Sequence, residues 1–259
     1  MISRSATIGK KSIIGKNVTI GNYTTIEDDV IIGDHTIIEN NVSILDGARI
    51  GQHCHIHSGA VLAGLPQDMK YQGEYTTLEI GDWNIIRESV TINKGTNSKM
   101  ATKIGNNNMI MANAHIGHDC EIGNHCIIGF GVGMAGEVIV NDCANISGLT
   151  GIHQFSKIGE HCMVSGLSKV NKDIPPYIIA AREPLSYAGI NLVGLKRKGF
   201  ESAKLDELKE IYRIIFQQKR NTSYAINFIE SNFKQTVERD KILDFIRQSQ
   251  RGIIKGYQE

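Results

Sequence analysis

Aliphatic residues recur at every sixth position along most of the chain. The same phase runs through residues 8–62, 80–92 and 104–170. A small or β-branched residue precedes each aliphatic residue by two positions, and glycine often follows it by one. Because alternate residues of a strand face the same side, these two recurring positions predict short strands with inward-pointing side chains.

This period predicts a parallel β-helix. A six-residue side with a corner closes after three sides, so one coil should hold three repeats, and stacked strands should lie about 4.8 Å apart. We expect the recurring glycines to form the corners, where positive φ is inexpensive for glycine. One buried isoleucine contributes only about 1.5–3 kcal/mol, so stability needs many stacked coils.

Polar residues enter the inward phase at a few positions, namely Asp68, Glu74 and Ser98. These breaks predict loops near residues 64–76 and 94–101, and loops on a rigid scaffold often carry function. Pro175 and Pro176 should end the strand ladder, because proline lacks the N–H that a ladder needs. We therefore expect a hexapeptide-repeat domain over residues 1–189.

The pattern changes to helical spacing after Gly199. Apolar residues then recur at intervals of three and four, beginning with Leu205 and Leu208, and Asn221 or Thr222 could cap a second helix. Residues 190–259 should form a small α-helical C-terminal domain.

Composition excludes several classes of protein. The chain has 28 basic and 27 acidic residues, whereas a general nucleic-acid binder is usually clearly basic. It has neither an apolar N-terminal segment nor an apolar run long enough to cross a bilayer, so we expect no secretory signal and no membrane-spanning helix. Five cysteines without a Cys-x-x-Cys pair fit a reducing cytoplasm, and most occupy the small inward position, as buried fillers would.

Two further motifs are ambiguous. His53, His55 and His57 alternate with inward residues, so all three should face outward; they could bind zinc alone or across subunits, although a polar outer wall or subunit interface is favoured. Residues 131–136 match G-x-G-x-x-G, but the match does not open a helix, as a dinucleotide site requires.

His115 and His118 form the most informative pair. Because one coil is three repeats long, His118 should lie beneath Gly136, and Gly136 beneath Gln154, the neighbour of His153. This stacking joins a possible base, His118, to a bare backbone N–H at Gly136, the combination that acyl transfer requires. Surface histidines without a special role remain the alternative interpretation.

The chain resembles the bacterial acyl-[acyl-carrier-protein]–UDP-N-acetylglucosamine O-acyltransferases over essentially its whole length. The repeat itself contributes, together with several motifs: Gln67-Asp68-Met69-Lys70-Tyr71, Ile86-Arg87-Glu88-Ser89-Val90-Thr91-Ile92, Asn113-Ala114-His115-Ile116-Gly117-His118-Asp119-Cys120, His153-Gln154-Phe155, Asp173-Ile174-Pro175-Pro176-Tyr177 and Gly194-Leu195-Lys196-Arg197-Lys198-Gly199-Phe200.

The resemblance implies a left-handed β-helix, a homotrimer with active sites between neighbouring subunits, and the first step of lipid A synthesis in the cytoplasm. It implies that His118 is the general base, that Gly136 donates its N–H to the oxyanion, and that Asp119 orients His118. The substrates would be UDP-N-acetylglucosamine and a (R)-3-hydroxyacyl carrier protein, with no metal or diffusible cofactor.

Further roles follow from the same resemblance. The positions that would hold the nucleotide sugar are Asp68, Lys70, His115, His153, Gln154, Asn191 and Arg197. Gly166, near Met163, matches the position that limits acyl length, and its small size suggests room for a longer chain. The basic run Lys196 to Lys198 could meet the acidic carrier protein, although such a run is often only a solvated face.

The chain also departs from common family residues. The departures are Glu137, Val193, Asn93, Pro184 and Lys198. They leave the base and the thioester chemistry intact and concern the recognition of uridine, sugar and chain length. As an alternative, the acceptor could be a 3-amino analogue of the sugar, which would give an amide. The chain could instead be a later N-acyltransferase of the pathway, a zinc carbonic anhydrase-like β-helix or a non-catalytic β-helix scaffold. The early start of the repeats, by Ile8, argues against the N-acyltransferase, which carries an additional N-terminal domain.

Overall fold

The computed structural model describes residues 1–218 and 221–256. Its strands are β1 Thr7–Ile8, β2 Ile13–Ile14, β3 Thr19–Ile20, β4 Thr25–Ile26, β5 Ile31–Ile32, β6 Ile37–Ile38, β7 Ser43–Ile44, β8 Ala48–Ile50, β9 His55–Ile56, β10 Val61–Gly64, β11 Thr77–Ile80, β12 Ile85–Ile86, β13 Thr91–Asn93, β14 Ala101–Ile104, β15 Met109–Ile110, β16 His115–Ile116, β17 Glu121–Ile122, β18 Ile127–Ile128, β19 Gly133–Met134, β20 Ile139–Val140, β21 Asn145–Ile146, β22 Gly151–Ile152, β23 Lys157–Ile158, β24 Met163–Val164, β25 Lys169–Val170, β26 Ile178–Ala181, β27 Ser186–Ile190 and β28 Lys255–Gly256. Its helices are α1 Leu192–Arg197, α2 Ser202–Gln217, α3 Thr222–Asn232 and α4 Val237–Arg247.

Within the described residues the strands form three sheets, which the chain visits in rotation. Face 1 runs from β1 through every third strand to β25, face 2 from β2 to β23, and face 3 from β3 to β24 and then β26, β27 and β28. Thr7 pairs with Thr25, and Ile13 pairs with Ile31, so one coil holds three hexapeptides. The predicted parallel β-helix of hexapeptide repeats is confirmed.

The core lies inside these faces. The recurring aliphatic residues are buried from Ile20 onward, and the small residues two positions earlier are buried with them. Ile8 and Ile14 are only partly buried, because they lie in the first coil, which has a neighbouring coil on one side. The coils therefore stabilise one another by stacking, as the period predicts.

The predicted reason for the recurring glycines is wrong. Gly9 and Gly33 do not have positive φ; instead, a Cβ at Gly9 would lie 2.6 Å from the Asp28 nitrogen, and one at Gly33 would lie 2.5 Å from the Gly51 carbonyl carbon. Glycine is required there because successive coils approach closely. The left-handed conformation falls two residues later, for example at Asn17 and Asp119.

Both predicted loops leave the β-helix at the same corner, where face 1 turns into face 2. One joins β10 to β11 and the other joins β13 to β14. Ile80 pairs with Ile50, five repeats earlier instead of three, and Ile104 pairs with Ile80, four repeats earlier. The first loop therefore adds two repeat lengths and the second adds one. Because both additions are whole repeats, the phase of the aliphatic residues is preserved across them.

The prolines do not end the ladder on face 3. Pro175 and Pro176 lie between strands, and β26 pairs in parallel with β24 beyond them. β27 then pairs antiparallel with β26, and β28 joins β27. The ladder continues because the prolines lie outside the strands, and pairing with β24 resumes at Ile179.

The helical pattern after Gly199 is confirmed in α2, where Leu205 and Leu208 are buried. The Asn221 side chain, not that of Thr222, caps α3 by accepting from the Tyr224 N–H at 2.8 Å. The apolar spacing does not predict the short helix α1. The division after residue 189 stays a prediction, and residues 219–220 and 257–259 of the predicted domain lie outside the described residues. No helix within the described residues is long and apolar enough to cross a membrane.

The cysteines are also as expected. All five lie within the described residues as free thiols, and all but Cys143 are buried. Burial raises the pKa of Cys120, Cys126 and Cys162 to about 12, so these thiols stay protonated and pack as small apolar groups.

Candidate active site

The candidate site lies at the corner between faces 1 and 2. His118 and Asp119 form this corner between β16 and β17, and both loops emerge from the same corner in earlier coils. The loops bring Asp68 and Thr96 next to the pair. A site here therefore combines a rigid turn of the β-helix with two segments that leave it.

His118 and Asp119 form a nearly buried hydrogen-bonded pair. His118 Nδ1 lies 2.7 Å from Asp119 Oδ2, and the two side chains are 8% and 0% exposed. The other ring nitrogen, Nε2, lies 3.9 Å from Asp68 Oδ2 on the first loop. The imidazole thus has one nitrogen fixed inside the protein and the other directed toward the loop.

The partners of Asp119 determine the tautomer of His118. Asp119 Oδ1 accepts from the backbone N–H groups of Thr96 at 2.9 Å and Lys99 at 3.2 Å. Asp119 Oδ2 accepts from the Thr96 hydroxyl at 2.6 Å, and that hydroxyl itself accepts from the Ser98 N–H. Because the carboxylate is an acceptor throughout, His118 must donate from Nδ1, which leaves the lone pair on Nε2.

Gly136 lies directly against the imidazole in the next coil, as the stacking predicts. A Cβ at this position would lie 2.5 Å from His118 Cε1 and closer still to Nε2, so only glycine fits. Among the residues that the structure describes, the Gly136 N–H donates to no acceptor, although Gly136 is buried. A buried donor of this kind favours an incoming acceptor, such as the oxygen of a bound substrate.

A cleft of about 390 Å³ lies between the two loops and the next coils. Asp68 and Lys70 line it from the first loop, Asn97 and Ser98 from the second, and Gln154 from the β-helix. Glu137, a departure from the family pattern, also lines it, together with the half-exposed Phe155. The cleft therefore offers charged and amide groups, which include hydrogen-bond donors and acceptors, to a polar ligand.

His115 lies in β16 and His153 follows β22, two coils away, and the two have different surroundings. His115 Nδ1 lies 2.8 Å from Thr91 Oγ1, and burial lowers the pKa of His115. His153 is exposed, and its Nδ1 donates to the Gln154 carbonyl oxygen at 3.0 Å. A largely neutral His115 can accept or donate, whereas His153 is free to offer its second nitrogen to a ligand.

Asn191 and Arg197 lie at a different corner, between faces 2 and 3. The Asn191 amide donates to the His161 carbonyl oxygen at 2.9 Å, and its oxygen caps α1 by accepting from the Gly194 N–H at 3.2 Å. Arg197 is exposed in the last turn of α1. A single chain therefore does not bring these two residues together with His118.

Gly166 and Met163 lie on the third side of the β-helix. Met163 belongs to β24 on face 3, and Gly166 follows it at the corner toward face 1. A Cβ at Gly166 would lie 3.1 Å from the Gly148 carbonyl oxygen. Between this corner and His118, the outward positions Gly133 and Gly151 of face 1 have nothing within 4 Å of an added Cβ. Because Gly133 pairs with Gly151 in the next coil, a bare strip thus runs along face 1, parallel to the axis of the β-helix.

A larger groove of about 870 Å³ lies outside face 2. Its charged side chains pair with one another, as in Lys103 with Glu79 at 3.8 Å and Lys99, nearby, with Glu121 at 2.7 Å. Paired surface charges of this kind contribute little and leave no activated group. The smaller cleft beside His118 is the better candidate on chemical grounds.

Sequence reasoning missed the residues that hold Asp119. Thr96 and Lys99 belong to the second predicted loop, so the break in the repeat signalled their importance but not their contacts. It also missed Thr91, whose outward position in β13 is predictable from the register with His115. The glycine strip of face 1 could have been found by stacking Gly133 on Gly151 at the interval of one coil.

Two family profiles match the chain. The profile described as "Bacterial transferase hexapeptide (six repeats)" matches residues 11–44, 29–64 and 101–136. The profile described as "Udp N-acetylglucosamine O-acyltransferase; Domain 2" matches residues 173–254. Repeat, cleft and profiles together define a transferase of the hexapeptide-repeat class.

Individual relatives identify the family within this class of transferases. The chain is 42% identical over 195 residues to acyl-[acyl-carrier-protein]–UDP-N-acetylglucosamine O-acyltransferase from Thiobacillus denitrificans, covering 75% of this chain and 76% of the relative. It is 47% identical to the solved UDP-N-acetylglucosamine acyltransferase of Bacteroides fragilis, with a TM-score of 0.97 and coverage of 98% and 100%. The enzyme of Francisella novicida gives 36% identity, a TM-score of 0.96 and coverage of 98% and 94%. The chain belongs to the acyl-[acyl-carrier-protein]–UDP-N-acetylglucosamine O-acyltransferase family.

Proposed function

We propose that this enzyme transfers a (R)-3-hydroxyacyl chain from acyl carrier protein to the 3-hydroxyl of UDP-N-acetylglucosamine, the first step of lipid A synthesis. The observation that carries the proposal is the His118 imidazole, which is fixed by Asp119 at Nδ1 and lies against Gly136 with its bare N–H. The named relatives support the choice of substrates.

His118 acts as the general base in this mechanism. Its Nε2 takes the proton of the sugar 3-hydroxyl while the hydroxyl oxygen attacks the thioester carbonyl carbon. The carbonyl oxygen becomes an oxyanion and accepts from the Gly136 N–H. The carbon–sulfur bond then breaks, and the departing thiolate receives the proton held on Nε2. Asp119 stays ionised and stabilises the imidazolium that forms between these steps.

The nucleotide sugar is held by residues at two corners of the β-helix. Asp68 and Lys70 on the first loop and Gln154 on the coils offer donors and acceptors at the cleft. His115 and His153 add ring nitrogens from the coils of face 1. The remaining residues of the proposed set are Asn191 and Arg197.

A neighbouring subunit must supply Asn191 and Arg197, because within one chain they lie at another corner. This requirement supports a homotrimer with sites between subunits. We also propose, following the family, that the coils wind left-handed, that residues 190–259 form a separate helical unit, and that the reaction occurs in the cytoplasm.

Mixed oligomers should reveal the shared site. Arg197→Ala alone should raise the KM for UDP-N-acetylglucosamine about 10- to 100-fold, as the loss of a charge-assisted hydrogen bond does. Chains carrying His118→Ala and chains carrying Arg197→Ala are then assembled in equal amounts. About a quarter of the interfaces should have an intact His118 from one chain and an intact Arg197 from its neighbour. The rate at low substrate should then approach a quarter of the wild-type rate. A rate equal to the mean of the two separate variants would contradict a site shared between chains.

The acyl chain lies along face 1 in this proposal. The strip at Gly133 and Gly151 offers open space between the reacting thioester and Gly166. Glycine at 166 leaves the far end of the path wide, with Met163 nearby. The exposed basic run Lys196 to Lys198 is suited to contact the acidic carrier protein that delivers the chain.

Gly166→Met should shift the preference of the enzyme to shorter acyl chains. The added side chain would begin 3.1 Å from the Gly148 carbonyl oxygen and fill the end of the path. We expect kcat/KM for the longest accepted donor to fall about tenfold for every two excluded methylenes. Leu167→Met, an exposed neighbour of similar volume, is the matched control. If Gly166→Met leaves the dependence of kcat/KM on acyl-chain length unchanged, Gly166 does not limit the length of the acyl chain.

The proposed reaction is tested with purified chain, UDP-N-acetylglucosamine and a series of (R)-3-hydroxyacyl carrier proteins of increasing length. Mass spectrometry should detect one acyl group on the nucleotide sugar, with a maximum rate at one chain length. Absence of acylated sugar for every donor would contradict the proposed function.

A further inference from the structure

Glu39, His55 and His57 converge on adjacent coils beside face 3, away from the corner that holds His118. Glu39 Oε1 lies 3.0 Å from His55 Nε2 and 3.1 Å from His57 Nδ1. One ligand atom from each residue falls within 4.8 Å of the other two. Two imidazoles and a carboxylate directed at one point form a donor set that suits zinc.

Two of the three spacings are close to those of a tetrahedral zinc site. Ligand atoms held about 2.0–2.1 Å from zinc lie about 3.4 Å apart, so the two contacts of Glu39 Oε1 need to open by only a few tenths of an ångström. The two histidine nitrogens lie within 4.8 Å of each other. Glu88 Oε1 lies 3.5 Å from His57 Nδ1 and could complete the set, although Arg87 also holds Glu88. A water molecule can serve as the fourth ligand instead.

A second layer of contacts orients the carboxylate. The Ser58 N–H and hydroxyl donate to Glu39 Oε2 at 3.2 and 3.1 Å, which leaves Oε1 directed toward the two histidines. Such outer contacts fix first ligands at metal sites and improve affinity. The group is therefore arranged before any ion binds.

The ionisation of the group also fits a metal site. Burial and the neighbouring charge of His55 lower the pKa of His57, which favours the neutral imidazole that metals require. Burial raises the pKa of Glu39, but hydrogen bonds from Ser58 and His55 outweigh it and lower the pKa overall. The carboxylate is thus ionised at neutral pH.

His53 does not join this cluster. Its ring stacks between His35 and Trp83, with ring centroids 4.9 and 4.0 Å away. The outer-wall interpretation therefore applies to His53, whereas His55 and His57 turn toward Glu39.

We propose that Glu39, His55 and His57 bind one Zn²⁺ ion per chain and that the ion cross-links two adjacent coils. The role is structural and independent of the proposed acyl transfer. Because the ion binds only the stacked coils, it should raise the thermal stability of the chain.

The test uses the untagged full chain, freed of metal with a chelator and titrated with Zn²⁺ by calorimetry. The wild type should bind one ion per chain. His57→Ala should bind at least about 100-fold more weakly, since even outer contacts are worth 10- to 100-fold. Glu39→Gln, which keeps the shape of the side chain, should also weaken binding, whereas His53→Ala should match the wild type.

Melting temperatures provide the second measurement. Zn²⁺ should raise the Tm of the wild type and of His53→Ala but not that of His57→Ala or Glu39→Gln. Equal binding by all four proteins, or no stoichiometric binding by the wild type, would overturn the proposal. Acyl transfer by each protein is measured in parallel and should be unchanged, so failure of either proposal is recognised separately.

Discussion

Replacing His118 with alanine should lower kcat at least about 100-fold, the lower range for a lost general base. Alanine removes the Nε2 lone pair that faces the cleft and leaves Asp119 with its donors from Thr96 and Lys99. The chain should still fold, because the inward neighbours Ile116 and Cys120 are unchanged. Steady-state kinetics with saturating donor and acceptor measure the effect.

A matched control for this variant is His125→Asn. His125 is exposed at another corner and has left-handed φ, which asparagine accepts readily. We expect its activity to remain within about twofold of the wild type, as for most surface substitutions. Near-normal O-acylation by a folded His118→Ala protein would remove His118 from the mechanism.

Asp119→Asn should reduce kcat by about 10² to 10⁴-fold while the fold is retained. The amide oxygen can still accept from the Thr96 and Lys99 N–H groups, so the amide NH₂ must face the Thr96 hydroxyl and His118 Nδ1. Because that NH₂ donates, Nδ1 has to accept, and the proton moves to Nε2. The imidazole would then present an N–H to the sugar hydroxyl instead of a lone pair.

The control is Asp142→Asn at the corner between faces 2 and 3. Asp142 Oδ1 accepts from the Asn124 N–H at 2.7 Å, and Asn124 already makes the same contact with the Asn106 N–H. The substitution should therefore leave both fold and activity nearly unchanged. Comparable activity for Asp119→Asn and Asp142→Asn would mean that Asp119 does not fix the tautomer of His118.

Much of the fold follows from the sequence because the hexapeptide period is a local signal. The aliphatic phase determines which side chains face inward, and the coil of three repeats then determines which residues stack, including His118 against Gly136. The reason for the glycines was not accessible, since it depends on the close approach of Gly9 to Asp28 in the next coil. The continuation of face 3 beyond Pro176 depends likewise on how the chain rejoins the sheet.

The candidate site was only partly predictable. Stacking gathers His115, His118, Gly136 and Gln154 because all lie in regular coils of known register. The hydrogen bonds from Thr96 to Asp119 depend on the path of an irregular loop, which the hexapeptide period does not predict. The separation of Asn191 from His118 follows from the position of α1 against His161, a tertiary contact without a sequence signature.

Competition between two acceptors tests the central claim most directly. The enzyme is given equal concentrations of UDP-N-acetylglucosamine and its 3-amino analogue, with one (R)-3-hydroxyacyl carrier protein, and the products are analysed by mass spectrometry before and after mild alkali. The account predicts an acylated UDP-N-acetylglucosamine whose ester is cleaved by alkali, and its loss in His118→Ala. An alkali-stable amide of the analogue as the sole product would contradict it.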